Sequence, residues 1–177
     1  MSVTSKLHKK SSPDSATVYI VTCSTSKFKQ LRAKQQPSDE SGDIIEQLAA
    51  GAGHRIAGRK LISDSKPMIQ RTTRAALSNR DVDAVIITGG TGLSSTDVTF
   101  EAISPLLDQE IPGFGELFRK ISFDEIGSAA MMSRAFAGMI KRRAIFCLPG
   151  SPNAVRTAME KLILPELGHI IGLAQGP

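Results

Sequence analysis

Four short stretches of the chain hold residues able to do polar chemistry, and each follows an apolar run. Ser24 and Thr25 come after TVYIVTC, Asp64 comes after RIAGRKLI, Gly89 to Asp97 (GGTGLSSTD) follow AVIIT, and Pro149, Gly150 and Ser151 follow AIFCL. Gly89, Gly90 and Gly92 carry no side chain, so an anion can approach the main-chain amides around Thr91. A plain turn between a strand and a helix would use the same residues. The stretch is not a Walker A loop, because no lysine follows its last glycine. Nor is it a dinucleotide fingerprint, because Ser95 stands where the third glycine belongs.

Asp64 and Asp97 pose a similar choice. Asp97 could cap a helix expected from about Val98, and Asp64 could be a turn residue or the cap of a helix starting at Pro67. If both instead face one bound phosphate, they oppose it and each other. Two like charges about 4 Å apart repel by about 4 kcal/mol at an effective dielectric of about 20. Mg²⁺ removes that penalty, being held by one or two carboxylates together with substrate phosphates. This inventory suits in-line phosphoryl or nucleotidyl transfer, with Asp64 and Asp97 as catalytic residues and metal ligands. Ser133-Arg134 reads either as structural or as a phosphate contact. His8, His54 and His169 read as surface residues, and no Ser-His-Asp or Cys-His set can be assembled.

The elements that must position these residues follow from periodicity. In TVYIVTC, Val18, Ile20 and Thr22 face one way and Tyr19, Val21 and Cys23 the other, as a strand covered on both sides requires. The run at 55–62 and those at 84–88 and 144–148 give three more strands. Ile44, Ile45, Leu48, Ala49 and Ala52 recur at helical spacing, with Ser41 available as a cap and Gly53 closing the helix. Further helical stripes run from Pro67 to Leu77, from Val98 to Leu107, and from Ser151-Pro152 to Ile163. SAAMMSRAFAGMI also reads as helical, with Met131, Met132 and Met139 as packing residues. The polar connection STSKFKQLRAKQQPSDESG reads as a lid or an interface. The alternation predicts an α/β fold, a three-layer α/β/α sandwich with a mostly parallel central sheet. Ligands bind beyond the carboxyl ends of such strands, so the four polar stretches converge at one edge.

Composition sets the remaining bounds. At 177 residues, 41% hydrophobic and 22% charged, the chain suits a single globular domain over 17–177 behind a flexible basic tail over 1–16. It shows neither a membrane-length apolar run nor a secretory signal, which points to a cytoplasmic protein. Cys23 and Cys147 lack metal-ligand spacing and read as buried thiols. The net charge of +5 is dispersed, and one tyrosine with no tryptophan offers little for base stacking. An anionic small molecule is favoured over nucleic acid as the partner.

Taken together, ITGGTGLSSTDVT, PGFGELFRKIS, SRAFAG and LPGSPNAV resemble the MoaB/MogA family of molybdenum cofactor biosynthesis proteins, over about Val18 to His169. FDEIG and the ending soon after ELGHIIGLAQ are closer to the MoaB branch. The resemblance implies a protein that binds molybdopterin, a pterin dithiolene with a terminal phosphate, and adenylates that phosphate with Mg-ATP. On this pattern Gly89, Gly90, Thr91 and Gly92 contact the pterin or phosphate, with Ser24 as a further contact. Asp64 and Asp97 match the family's acidic positions, and Pro149, Gly150 and Ser151 help form the nucleotide pocket. Asp39 to Gly42 matches an Asp-x-Ser-Gly element. Thr25 departs from an aspartate often found there, and Thr96 from an arginine. Some MoaB-type members lack the acid at the place of Asp64 and are catalytically silent; retention of Asp64 implies an active enzyme, with a non-catalytic pterin carrier as the alternative. The resemblance further implies a homotrimer or homohexamer and a downstream metal-insertion protein as partner.

Overall fold

The computed structural model describes residues 13–175. Most of the expected basic tail, including His8, lies outside the described residues. Ser15 and Ala16, by contrast, are tied to the core: Ser15 Oγ donates to Gly53 O, and Ala16 N–H donates to His54 Nδ1. His54 is therefore half-buried in a structural bond rather than a surface residue, and its burial lowers its pKa.

The described strands form one sheet. They are β1 (Thr17–Cys23), β2 (Arg55–Ile62), β3 (Ala84–Thr88), β4 (Gln109–Glu110), β5 (Phe136–Ile140) and β6 (Arg143–Leu148), in the order β2-β1-β3-β6-β5-β4. β2, β1, β3 and β6 pair in parallel, while β5 and β4 are antiparallel additions. Successive strand residues point to opposite faces, so both faces must be apolar. Val18, Ile20, Ile86 and Phe146 enter one core; Val21, Cys23, Ile87 and Cys147 enter the other. All five residues of β3 are buried. Each large aliphatic side chain there contributes about 1.5–3 kcal/mol over an exposed position, so the strand beneath the glycine loop is held from both sides.

Helices α1 (Thr25–Arg32), α2 (Glu40–Gly51), α3 (Lys66–Ser78), α4 (Thr99–Ile103), α5 (Pro112–Ile126), α6 (Pro152–Ala158) and α7 (Leu164–Gln175) complete the described chain. α6 and α7 are joined through a π turn at Met159–Ile163. Ile45 of α2, Phe118 of α5, Val155 of α6 and Leu167 of α7 pack on one face. Ile69 and Leu77 of α3 with Ala102 and Ile103 of α4 pack on the other, which completes the three layers.

Four local readings need correction. The polar connection after β1 is not all loop: Ser24 caps α1, accepting from Lys27 N–H, although none of that helix's residues is buried. Asp39, not Ser41, caps α2 by accepting from Gly42 N–H. The helix after the glycine loop is only five residues long before a 3₁₀ turn at Ser104–Leu106, too short for a strong terminal dipole. SAAMMSRAFAGMI is a 3₁₀ turn at Gly127–Met132 followed by β5, so Ser133 and Arg134 lie in a loop. In that turn Met131 and Met132 are exposed, and only Met139 packs.

Candidate active site

From β1 the chain crosses to β2 on one side and then to β3 on the other, so a crevice opens beside the carboxyl end of β1. A cavity of about 570 Å³ lies there. Every site residue expected from the sequence except Ser151 lines it: Ser24, Asp64, Gly89, Gly90, Thr91, Gly92, Asp97, Pro149 and Gly150. Ser151 is exposed and caps α6, accepting from Ala154 N–H.

The glycine loop is built so that its carbonyls are engaged by the protein. Gly89 O accepts from Thr99 Oγ1 at 2.8 Å, and Gly90 O from Thr99 N–H at 2.9 Å. Thr91 O accepts from Arg134 N–H at 3.0 Å, and Gly92 O from Arg134 Nε at 2.8 Å. In a trans peptide the N–H points opposite to the C=O. The amides of Gly90, Thr91, Gly92 and Leu93 are thus turned the other way, with no acceptor among the described residues. Gly90, Thr91 and Gly92 line the cavity, and three consecutive open donors there form an anion nest. The glycines are sterically required: a Cβ on Gly90, at φ +67°, would lie 2.5 Å from Thr99 Oγ1, and one on Gly92 would lie 2.7 Å from Asp97 Oδ2.

Neither carboxylate caps the helix that follows it. α3 begins behind Ser65 and α4 behind Val98, both without a side-chain cap bond. Asp64 Oδ2 instead accepts from Thr25 N–H at 2.7 Å and from Thr25 Oγ1 at 2.9 Å, while Oδ1 faces Gly90. Asp97 Oδ2 accepts from Ser94 N–H at 3.0 Å and closes its own turn. One oxygen of each, Oδ1, accepts no hydrogen bond among the described residues. No group of three or more His, Cys, Asp or Glu able to hold a metal occurs among the described residues. Two carboxylates with open oxygens beside an anion nest nevertheless fit Mg²⁺, whose other ligands come from phosphates and water.

Several contributors carried weak sequence signals. Thr88 Oγ1 donates to Pro149 O at 2.8 Å and Ser41 Oγ to Gly150 O at 2.7 Å, which fastens the second loop as Thr99 fastens the first. Hydroxyls at the end of an apolar strand, as at Thr22 and Thr88, were the available signal. The Asp-x-Ser-Gly element is an anchor: Asp39 Oδ2 accepts from Thr22 Oγ1 at 2.8 Å and pairs with Arg59 Nη2 at 2.7 Å. Arg134 is also a clamp, since Nη2 donates to Asp97 O at 2.8 Å and Nη1 pairs with Glu101. That hydrogen bond holds the Glu101 carboxyl below its ordinary range. Cys23 lines the cavity, but burial pushes its thiol up to about 12.

This geometry can be set beside known proteins. The family model for a probable molybdopterin binding domain matches residues 19–169. Molybdenum cofactor biosynthesis protein B of Bacillus cereus is 48% identical over 171 residues, 96% of each chain. The chain belongs to the MoaB/MogA family of molybdenum cofactor biosynthesis proteins. A probable molybdopterin adenylyltransferase of Methanocaldococcus jannaschii is 39% identical over 153 residues, covering 86% of this chain and 90% of that protein. The crystal structure of a molybdenum cofactor biosynthesis protein B superposes with a TM-score of 0.86 at 46% identity, covering 93% of this chain and 99% of that one. The MoaB/MogA fold accounts for the mostly parallel sheet and its layers. Among the described residues no helix is long and apolar enough to cross a membrane.

Proposed function

We propose that residues 17–177 act as one molybdopterin-binding domain that transfers the adenylyl group of Mg-ATP to the terminal phosphate of molybdopterin and releases pyrophosphate. The observation that carries this reading is the placement of three open amides and two carboxylates on one cavity. An oxygen of the acceptor phosphate bonds to the α-phosphorus of ATP as the bond from that phosphorus to the bridging oxygen of pyrophosphate breaks. The electron pair leaves with pyrophosphate, and no proton transfer is required. The amides of Gly90 to Gly92 hold the acceptor phosphate, and the preceding β3 and Arg134 fix its direction. Asp64 and Asp97 would hold Mg²⁺, which supplies charge neutralisation at the phosphates when bound. Pro149 and Gly150 line the nucleotide side. The exposed Leu117, Phe123, Ile126, Met131 and Met132 support a homo-oligomer, trimer or hexamer, which sedimentation at micromolar concentration would test.

Incubation of the protein with molybdopterin, ATP and Mg²⁺ should release pyrophosphate. Asp64→Asn and Asp97→Asn should each lower turnover by about a hundredfold or more, because a lost metal ligand costs several kcal/mol of transition-state stabilisation. Wild-type protein that binds molybdopterin tightly without releasing pyrophosphate would remove the enzymatic reading. A pterin carrier would then remain, favoured by the nest being main chain and tethered through Thr99 and Arg134 rather than through Asp64.

A further inference from the structure

The proposed transfer leaves one cost unassigned. Pyrophosphate departs with added negative charge, yet the glycine loop has no lysine, Thr96 offers no cation, and Arg134 is committed to Gly92 O, Asp97 O and Glu101. Among the described residues, the single cationic one lining the cavity is Lys27, in the first turn of α1. It is half-buried, and its ammonium has no ion pair or hydrogen bond among the described residues. A lysine that shares a cavity with two carboxylates and pairs with neither is positioned for a group that is not part of the protein.

Its location decides which phosphate it meets. Asp64 links two rims of the cavity, with Oδ1 facing Gly90 and Oδ2 bonded to Thr25. Gly90 belongs to the amide nest, whereas Thr25 starts the helix turn that carries Lys27, and both residues line the same cavity. Thr25 fastens the start of α1 to Asp64, so the helix that carries Lys27 is set by the same residue that would hold the metal. We infer that Lys27 binds the β- and γ-phosphates of the nucleotide and then the departing pyrophosphate, taking the role that a loop lysine fills elsewhere. The inference rests on the adenylyl-transfer reading.

The test compares wild type with Lys27→Ala and Lys27→Arg by calorimetric titration of Mg-pyrophosphate, with AMP as a one-phosphate control. Lys27→Ala should weaken pyrophosphate binding about tenfold or more, as loss of a charge-assisted contact does, and leave AMP binding within about twofold. Lys27→Arg should restore most of the affinity. All variants should melt together, since Lys27 supports no other group. Equal pyrophosphate affinity in wild type and Lys27→Ala would overturn the role of Lys27 and leave adenylyl transfer standing. Wild-type protein that binds neither pyrophosphate nor ATP would overturn both.

Discussion

Arg134→Ala should loosen the glycine loop while leaving the sheet intact. The guanidinium makes two charge-assisted bonds to main-chain carbonyls, Gly92 O and Asp97 O, each at 2.8 Å, and one ion pair with Glu101. A hydrogen bond to a charged group contributes about 1.5–3 kcal/mol. The Arg134 side chain is 27% exposed and water replaces part of each bond, so a net loss of about 2 kcal/mol is expected. That corresponds to roughly a thirtyfold rise in local opening, since about 1.4 kcal/mol is tenfold. Amide hydrogen exchange should report it as faster exchange at the bonded amides of Ser94, Thr96 and Asp97, with 84–88 unchanged. Arg134→Lys should rescue only in part, because a single ammonium cannot reach both carbonyls and Glu101 in the fork geometry of a guanidinium. Unchanged exchange over 94–97 in Arg134→Ala, or full rescue by lysine, would refute the clamp.

Two further outcomes follow from burial. His54 has a lowered folded-state pKa, so the unfolded chain binds more protons as pH falls through about 6.5, and stability present above that pH should decline below it. Protonation also turns Nδ1 from an acceptor into a donor and removes the Ala16 bond; His54→Asn should flatten the loss between pH 6.5 and 5 in thermal melts. Cys23 and Cys147 are buried with raised thiol pKa values, so a disulfide reagent at pH 8 should label them only as the protein unfolds. Rapid labelling of native protein would contradict the packing around Cys23.

The sequence was most legible where packing alone sets the element. AVIIT and AIFCL are buried on both faces and read directly as strands, and Ser151-Pro152 announced α6 through local capping. β5 was illegible because its hairpin to β6 turns on Lys141 and Arg142, both at positive φ, where Asn-Gly is the usual signal. Gly138, where a Cβ would lie 2.5 Å from Gln109 O, is a residue depleted from strands and so carried no strand signal. β4 has only two residues, both exposed, and α1 buries none, so neither shows periodicity. At the site, residue types identified the acids and the glycines, but not their partners. Thr25 bonds Asp64 across 39 positions and Arg134 reaches Gly92 across 42, distances at which only the fold supplies the pairing.

The anion nest is made of main chain, whereas the two metal-binding candidates are side chains. These halves can therefore be inherited separately. On the proposed reading, one point substitution at Asp64 would remove a metal ligand without removing a tether of the nest, so a descendant could go on holding a phosphate it no longer modifies. A substitution at Gly90 or Arg134 would instead disturb the nest itself, and with it both holding and modification. Along this lineage, chemistry can lapse while recognition persists, but recognition cannot lapse and leave the chemistry behind.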